Sequence, residues 1–193
     1  MPDLWYEVVN PDVPLTQGDL ISDCPLLTWN ISAVDPGSPV DVGALRQAVT
    51  AFRADVVVMT QACDLEHDKV RNVILCPHIA LDDYRIAFEK ALRVANQTLT
   101  AKAWKRQCDD IRDGYLWNLA MLNSETHGEI ATPHRIVDFH EVFTLPRAFL
   151  EKYLSQRQQP RLRLLPPYRE HLSQAFARFF MRVGLPTPVS AVW

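Results

Sequence analysis

The sequence predicts an α+β protein with a curved, mostly antiparallel sheet, an inserted pair of helices and a C-terminal helix. Short apolar runs rich in β-branched residues alternate with turn residues, as is typical of antiparallel strands. Residues 81–113 carry apolar side chains at helical spacing, and an apolar helix over about 167–183 is bounded by Pro and Gly. Of the 193 residues, 48% are hydrophobic and 22% charged, so we expect one globular domain over 1–193.

The composition indicates a cytoplasmic protein without a membrane span. No apolar run approaches the roughly 20 residues needed to cross a bilayer, and Asp3 and Glu7 stand where a secretory signal would carry basic residues. No Cys-x-x-Cys pair occurs, which excludes a zinc ribbon or finger and favours reduced thiols over a disulfide framework. The four cysteines are Cys24, Cys63, Cys76 and Cys108.

Short strands joined by turns are expected in the first 42 residues, which are rich in Pro, Asp, Gly and Ser. Helical spacing of apolar residues then predicts a short helix over 42–53. The clearest hairpin follows, with strands at Val56–Cys63 and Arg71–Ile79 and a turn at His67-Asp68. Both strands are apolar without alternation, which predicts that both faces are covered, and Pro77 should mark the point where the second strand leaves the ladder.

The inserted helical pair is predicted at 81–95 and 99–113, and Gly114 is a natural stop. The remaining elements are predicted in chain order. They are a strand at Tyr115–Leu119, a loop over Asn123–Pro133, a strand at Arg135–Thr144, a helix from Pro146 to about Leu154, a strand at Arg161–Leu165, and the last helix from Pro166-Pro167 to about Val183 with Gly184 as its cap.

Charge is distributed unevenly along the chain. Residues 1–145 hold 12 Lys and Arg against 21 Asp and Glu, a net charge of −9, whereas residues 146–193 hold 8 against 2, a net charge of +6. Such polarity can attract an acidic partner or nucleic acid to the C-terminal segment. Alternatively, the basic segment folds against the acidic part of its own chain.

A candidate metal site lies where the predicted strand ends, in the string Thr60-Gln61-Ala62-Cys63-Asp64-Leu65-Glu66-His67-Asp68. Cys63, Asp64 and His67 supply a thiolate, a carboxylate and an imidazole, all of which bind zinc. Further ligands would come from other parts of the chain. The candidates are His127, His134, His140 and Cys108.

Two other interpretations of the same string stay open. Cys63 could be a nucleophile, although Asp64, Glu66 and Asp68 should raise the thiol pKa and so disfavour the reactive thiolate. Or Cys63 packs in the core and the acids and His67 form a solvated hairpin tip.

Arginine residues interleave with aromatic residues in the C-terminal segment, a combination typical of phosphate contact and base stacking. The aromatic and imidazole neighbours are Tyr168, His171 and Phe180. The candidate contacts to nucleic acid or an acidic partner are Arg161, Arg163, Arg169, Arg178 and Arg182. The alternative is that these arginines are solvated or pair within the chain.

Three strings follow one another along the chain: Gly18-Asp19-Leu20-Ile21, Val56-Val57-Val58-Met59-Thr60 and Val73-Ile74-Leu75-Cys76-Pro77. Their order resembles the start of bacterial PemK/MazF-type toxins, which cleave RNA, and the region they span is less than half of the chain. The resemblance implies an SH3-like barrel. It assigns no catalytic residue, because Ala54-Asp55 replaces the family's Arg-Pro and a long insert separates the first two strings.

A second resemblance concerns Thr60-Gln61-Ala62-Cys63-Asp64, which is similar to a Ser/Thr-Gln-x-Cys-Asp string of uncharacterised bacterial proteins that accompany mobile-element or defence genes. No Gly-rich phosphate loop, Gly-x-Ser-x-Gly elbow or His-Glu-x-x-His helix is present. We therefore expect a regulatory accessory protein that acts through a protein partner in a defence or toxin–antitoxin setting. The alternative is a metal-dependent, nuclease-like enzyme, with zinc as its cofactor.

Overall fold

A computed structural model describes residues 4–30, 42–127 and 130–181. Within these ranges the chain forms ten strands and six helices. The strands are β1 (Tyr6–Val9), β2 (Asp19–Trp29), β3 (Val49–Val58), β4 (Asn72–Ala80), β5 (Leu119–Leu122), β6 (Glu125–His127), β7 (Ile130–Thr132), β8 (Arg135–Asp138), β9 (Phe143–Pro146) and β10 (Arg161–Leu164). The helices are α1 (Val42–Gln47), α2 (Ala62–Glu66), α3 (Leu81–Val94), α4 (Ala101–Arg112), α5 (Arg147–Arg157) and α6 (Tyr168–Phe180).

The main sheet has the strand order β1-β10-β2-β3-β4-β8-β5, with β9 beside the first part of β4. Every pairing in it is antiparallel, and β6 and β7 form a separate hairpin. The predicted α+β class with a mostly antiparallel sheet is therefore confirmed.

The central strands are covered on both faces, as their unbroken apolar sequences predict. In β3, Val56 and Val58 belong to one core, which is completed by Leu150 and Leu154 of α5. Val57 of the same strand faces the opposite side and belongs to a second core, against which α6 packs. Alternate residues of one strand thus serve two cores, which is why the sequence shows no polar face.

The sheet is curved, since its first and last strands contribute to the same core. Tyr6 of β1 and Leu122 of β5 both lie in the second core. Side chains also connect these two ends. The Trp5 backbone N–H donates to Glu125 Oε2 at 2.8 Å, and the Tyr6 hydroxyl donates to the Asn123 carbonyl at 2.7 Å. In the described part of the chain no backbone ladder joins β1 to β5, so the sheet is not closed as a barrel.

The predicted helix over 42–53 is wrong in its second half. Helix α1 ends at Gln47, and β3 begins at Val49, where it pairs with Trp29 of β2. Val49 and Phe52 stand at helical spacing, but β-branched and aromatic residues also favour strands, and the long ladder with β2 decides in favour of the strand. At its other end β3 stops at Val58, so the last part of the predicted strand to Cys63 is replaced by the short helix α2. The predicted turn at His67-Asp68 and the antiparallel pairing of the two strands are confirmed.

Three other predicted boundaries were wrong because long-range pairing determines them. The strand predicted at 115–119 lies at Leu119–Leu122, and the loop predicted over 123–133 contains the β6–β7 hairpin. The strand predicted at 135–144 is two strands, since β8 pairs with the end of β4 and β9 with its start.

The strand β4 also continues through Pro77 to Ala80, rather than leaving the ladder there. On one side, β4 pairs with β9 over residues 72–75 and with β8 over residues 78–80. The missing N–H of Pro77 falls between these two stretches, where the neighbouring strand changes.

The helices predicted at 81–95 and 99–113 are confirmed as α3 and α4. The Thr100 hydroxyl accepts from the Ala103 N–H at 3.2 Å and caps α4, and an aromatic cluster of Tyr84, Phe88 and Trp104 holds the two helices together. The later elements α5, β10 and α6 also form where they were predicted; the cap expected at Gly184 lies outside the described residues. No described helix has the length and apolar character that crossing a membrane requires.

Candidate functional site

Two of the five candidate arginines form ion pairs inside the protein. Arg161 Nε lies 2.8 Å from Asp19 Oδ2, and the side chains of Arg161 and Asp19 are 4% and 0% exposed. Arg163 Nε contacts the other oxygen of Asp19 at 2.5 Å, and its Nη1 lies 3.8 Å from Glu7. These guanidinium groups fix β10 to β2 and β1. Arg161 and Arg163 therefore pair within the chain, which was the alternative to contact with a partner.

The other candidate arginines lie on or beyond α6. Arg169 pairs with Glu170 at 2.5 Å. Arg178 is exposed, and its guanidinium carbon lies 5.9 Å from the ring centroid of Trp117. Within the described residues no carboxylate pairs with Arg178. Arg182 lies outside the described residues.

An open groove of about 460 Å³ lies between α6 and the segment that connects α4 to β5. We call it the Trp117–Arg178 groove. Its wall on the α6 side carries Tyr168, whose ring stacks on Trp5 with a centroid distance of 4.0 Å and an interplanar angle of 11°. The aromatic and basic residues that line the groove are Trp5, Trp117, Tyr168, His171, Arg112 and Arg178.

The electrostatics of the groove depend on Arg178. The other lining arginine, Arg112, pairs with Asp109 at 3.0 Å and with Asp113 at 2.9 Å. Arg178 therefore gives the groove one positive charge that no described carboxylate neutralises. An arginine over an indole ring, next to a second aromatic stack, can hold a planar base and a phosphate at the same time.

Local backbone structure brings Trp117 opposite Arg178. Helix α4 ends at Arg112, and Gly114 adopts φ +74, a left-handed conformation that favours glycine. The chain turns there, and the following residues lead past Trp117 to β5. A Cβ at Gly114 would lie 3.0 Å from Arg178 Nη2, so the turn and the arginine are in close contact.

The predicted metal ligands lie on or next to α2, on the surface. The Cys63 Sγ lies 3.8 Å from Gln61 Oε1 and 3.8 Å from Asp64 Oδ1, and Cys63 and His67 are exposed. The interpretation that Cys63 packs in the core is therefore wrong; the strand that would have buried it ends five residues earlier, at Val58.

Within the described part of the chain, the candidate helper ligands His134, His140 and Cys108 do not assemble a metal site around Cys63, and the side chain of His127 lies outside that part. His140 contacts Asp138 at 3.2 Å and lies against Phe179, while Cys108 is in α4. Among the residues that the structure describes, no group of three or more His, Cys, Asp and Glu side chains is placed to hold a metal ion. Zinc binding remains a prediction from sequence.

Sequence reasoning identified Tyr168, His171 and Arg178 but missed Trp117. Little in the sequence indicates a role for Trp117, because it lies in a short connection without periodicity and contacts α6 only in the folded protein. Comparison of the chain with protein-family models and with curated proteins gave no match.

Proposed function

We propose that the chain is a binding protein that holds unpaired nucleic acid in the Trp117–Arg178 groove. The observation that carries the proposal is the position of the Arg178 guanidinium over Trp117, in a groove that the Trp5–Tyr168 stack also lines. Aromatic faces bind bases of any sequence, and a guanidinium without a carboxylate partner suits one backbone phosphate.

We propose RNA as the nucleic acid and an SH3-like barrel as the ancestry of the sheet. Support comes from the resemblance to PemK/MazF-type toxins and from the hydrogen bonds that connect the two ends of the curved sheet. In this proposal the protein acts as a regulatory component in a defence or toxin–antitoxin setting. No catalytic residue is assigned.

The test measures binding of a fluorescein-labelled, single-stranded octanucleotide RNA by anisotropy at two salt concentrations. Trp117→Ala should weaken binding roughly 5- to 150-fold, the range expected when one stacked base loses its platform. Arg178→Gln should weaken binding and reduce the salt slope by about 0.7, which corresponds to one phosphate contact on a single strand.

Matched controls exist for both substitutions. Trp29→Ala removes an indole that is 60% exposed and lies outside the groove, and Arg106→Gln removes an exposed guanidinium of α4 whose partner is Asp110. Both controls should bind RNA as the wild type does. The proposal is rejected if the wild type does not bind, or if Trp29→Ala lowers affinity as much as Trp117→Ala.

A protein partner is the second candidate, and a different surface favours it. Beyond Cys24, β2 pairs only with β3 in the described part of the chain, so the two strands form a ribbon. Leu27 and Trp29 lie on one face of this ribbon and are each 60% exposed. An apolar ribbon face that no described element covers is typical of a protein contact surface.

Site-specific photocrosslinking tests this second candidate. A photoreactive amino acid at Leu27 should yield one discrete protein adduct in the native host. The adduct should disappear when Trp29→Ser is added, and the same probe at the half-buried Glu89 of α3 should give none. Adducts at Glu89 of the same size, or no adduct at Leu27, would reject the ribbon as the contact surface.

A metal-dependent nuclease remains the alternative from the sequence. Cys63, Asp64 and His67 would need a ligand that the described residues do not bring to them. Elemental analysis of the untagged protein beside Cys63→Ser decides this point: stoichiometric zinc that is lost in the variant would support a metal site, and its absence from the wild type would reject it.

A further inference from the structure

A second pocket, smaller than the groove, opens at the ends of several strands of the main sheet. Its volume is about 130 Å³, similar to the roughly 150 Å³ of an engineered cavity that admits benzene. Its polar lining includes Ser22, His78, Thr132, Arg135, Arg157 and Gln159. We call it the His78 pocket, and it shares no lining residue with the Trp117–Arg178 groove.

His78 is an ionisable residue inside an apolar strand, and only 4% of it is exposed. Its Nδ1 lies 3.1 Å from Arg135 Nη1. An arginine can only donate, so Nδ1 accepts the hydrogen bond and the ring proton resides on Nε2. That Nε2 group is buried and has no hydrogen-bond partner in the described part of the protein.

Arg135 is held in place by three neighbours. Its Nη1 also donates to Asp55 Oδ2 at 2.8 Å, and its Nε donates to Thr132 Oγ1 at 3.0 Å. The side chain is 19% exposed. Within the described residues, Arg135 Nη2 has no acceptor, so its N–H groups can donate to a ligand in the pocket.

Arg157 brings the net positive charge to the pocket. Its Nη1 donates to the Ser22 carbonyl, its Nη2 donates to Gln159 Oε1 at 2.5 Å, and its guanidinium lies over the Tyr153 ring. All of these partners are neutral, and no carboxylate of the described chain pairs with Arg157. Asp55 compensates Arg135, and Asp19 pairs with the third lining arginine, Arg161, so among the described residues only the charge of Arg157 has no carboxylate partner.

We propose that the His78 pocket binds a small oxyanion such as phosphate. The guanidinium groups of Arg135, Arg157 and Arg161 line a cavity of the right size, and guanidinium forks match the geometry of phosphate oxygens. The neutral imidazole of His78 accepts from Arg135 without adding a charge. This inference does not depend on nucleic-acid binding in the groove.

Isothermal titration with inorganic phosphate, at constant ionic strength maintained with sodium chloride, tests the site. The wild type should bind one phosphate with saturation. Arg157→Gln should weaken the affinity at least about tenfold, since a charge-assisted contact is lost. Arg93→Gln, which removes an exposed arginine of α3, should leave the affinity unchanged.

Thr132→Val provides a variant of similar volume in case Arg157→Gln does not fold. It too should weaken phosphate binding, because Thr132 Oγ1 accepts from Arg135 Nε and donates to the Pro133 carbonyl, so its loss releases the Arg135 guanidinium. A 5′-phosphorylated oligonucleotide, compared with the unphosphorylated one, shows whether a terminal phosphate or the free ion occupies the pocket. Arg178→Gln should not change phosphate affinity, which separates this site from the groove. The proposal would be overturned if the wild type showed no saturable phosphate binding. It would also be overturned if both Arg157→Gln and Thr132→Val bound phosphate with the affinity of the wild type.

Discussion

Asp19 and Arg161, 142 residues apart in the chain, form an ion pair from which solvent is almost completely excluded. Arg163 Nε donates to Asp19 Oδ1. Asp19 Oδ2, which accepts from Arg161, also accepts from the Thr16 N–H. Each oxygen of Asp19 is therefore engaged by a donor, as a buried charge requires.

Replacing Asp19 by Ala should destabilise the protein by about 3–5 kcal/mol, because two guanidinium groups would lose their shared counter-ion and one of them would stay buried. Urea unfolding measures this change. Glu89→Ala is the control, since it removes an exposed helical pair with Arg93 and should cost no more than about 0.5 kcal/mol. Equal effects of the two substitutions would contradict a stabilising role for the buried pair.

Gly18 and Gly114 should respond differently to Ala. Both have positive φ, which costs a side chain about 1 kcal/mol. At Gly18 a Cβ would also lie 3.1 Å from Leu164 Cβ, which belongs to a strand and cannot move freely, whereas at Gly114 it meets only the end of Arg178. Gly18→Ala should therefore cost at least about 2 kcal/mol and Gly114→Ala about 1 kcal/mol. Urea unfolding of both variants should show this order, and the reverse order would contradict it.

The protein should lose stability below pH 6.5 because of His78. Burial, and then the charge of Arg135, lower the pKa of His78 from 6.5 to about 3, against the opposing charge of nearby Asp55. Between these two values the unfolded chain binds a proton that the folded protein does not, so acid favours unfolding. Between pH 7.5 and 5.0, the wild type should lose about 2 kcal/mol more than His78→Gln. If the urea unfolding midpoints of the wild type and His78→Gln changed equally between pH 7.5 and 5.0, His78 would not be the cause of the pH dependence.

Cysteine alkylation should be selective. Cys63 is exposed, whereas Cys24 and Cys76 are buried, and burial raises the pKa of Cys24 to about 11 and that of Cys76 to about 12. Because the thiolate is the reactive form, iodoacetamide at pH 7.5 should modify Cys63 first and the two buried thiols only after urea is added. Peptide mass spectrometry measures the order. Rapid modification of Cys76 in the folded protein would show that the second core is open.

Local patterns predicted those elements whose stability is local. Helices α3, α4 and α6 have apolar residues at helical spacing and recognisable ends, so the sequence alone located them. The strand from Val49 to Phe52 was assigned to a helix because the ladder with Trp29 and Leu26 of β2, which decides its structure, does not show in a short window.

The same limit applies to the sites. Tyr168 and Arg178 share a helix and could be recognised together, but Trp117 reaches them only through the turn at Gly114. His78 appears as an isolated polar residue in an apolar strand, and its partner Arg135 is 57 residues away. Pairing across such distances depends on sheet order, which composition and periodicity do not contain.

The pairing of β1 with β10 has a consequence for the order of events during synthesis. β1 has β10 as its only ladder partner in the described sheet. Because β10 is synthesised about 150 residues later, β1 stays unpaired until then. At roughly 5–20 residues per second, this delay is about 8 to 30 s, during which an early edge strand is unpaired on the ribosome. We expect β1 to be the last strand to dock, and the nascent chain to need protection from aggregation until Leu164 has left the exit tunnel.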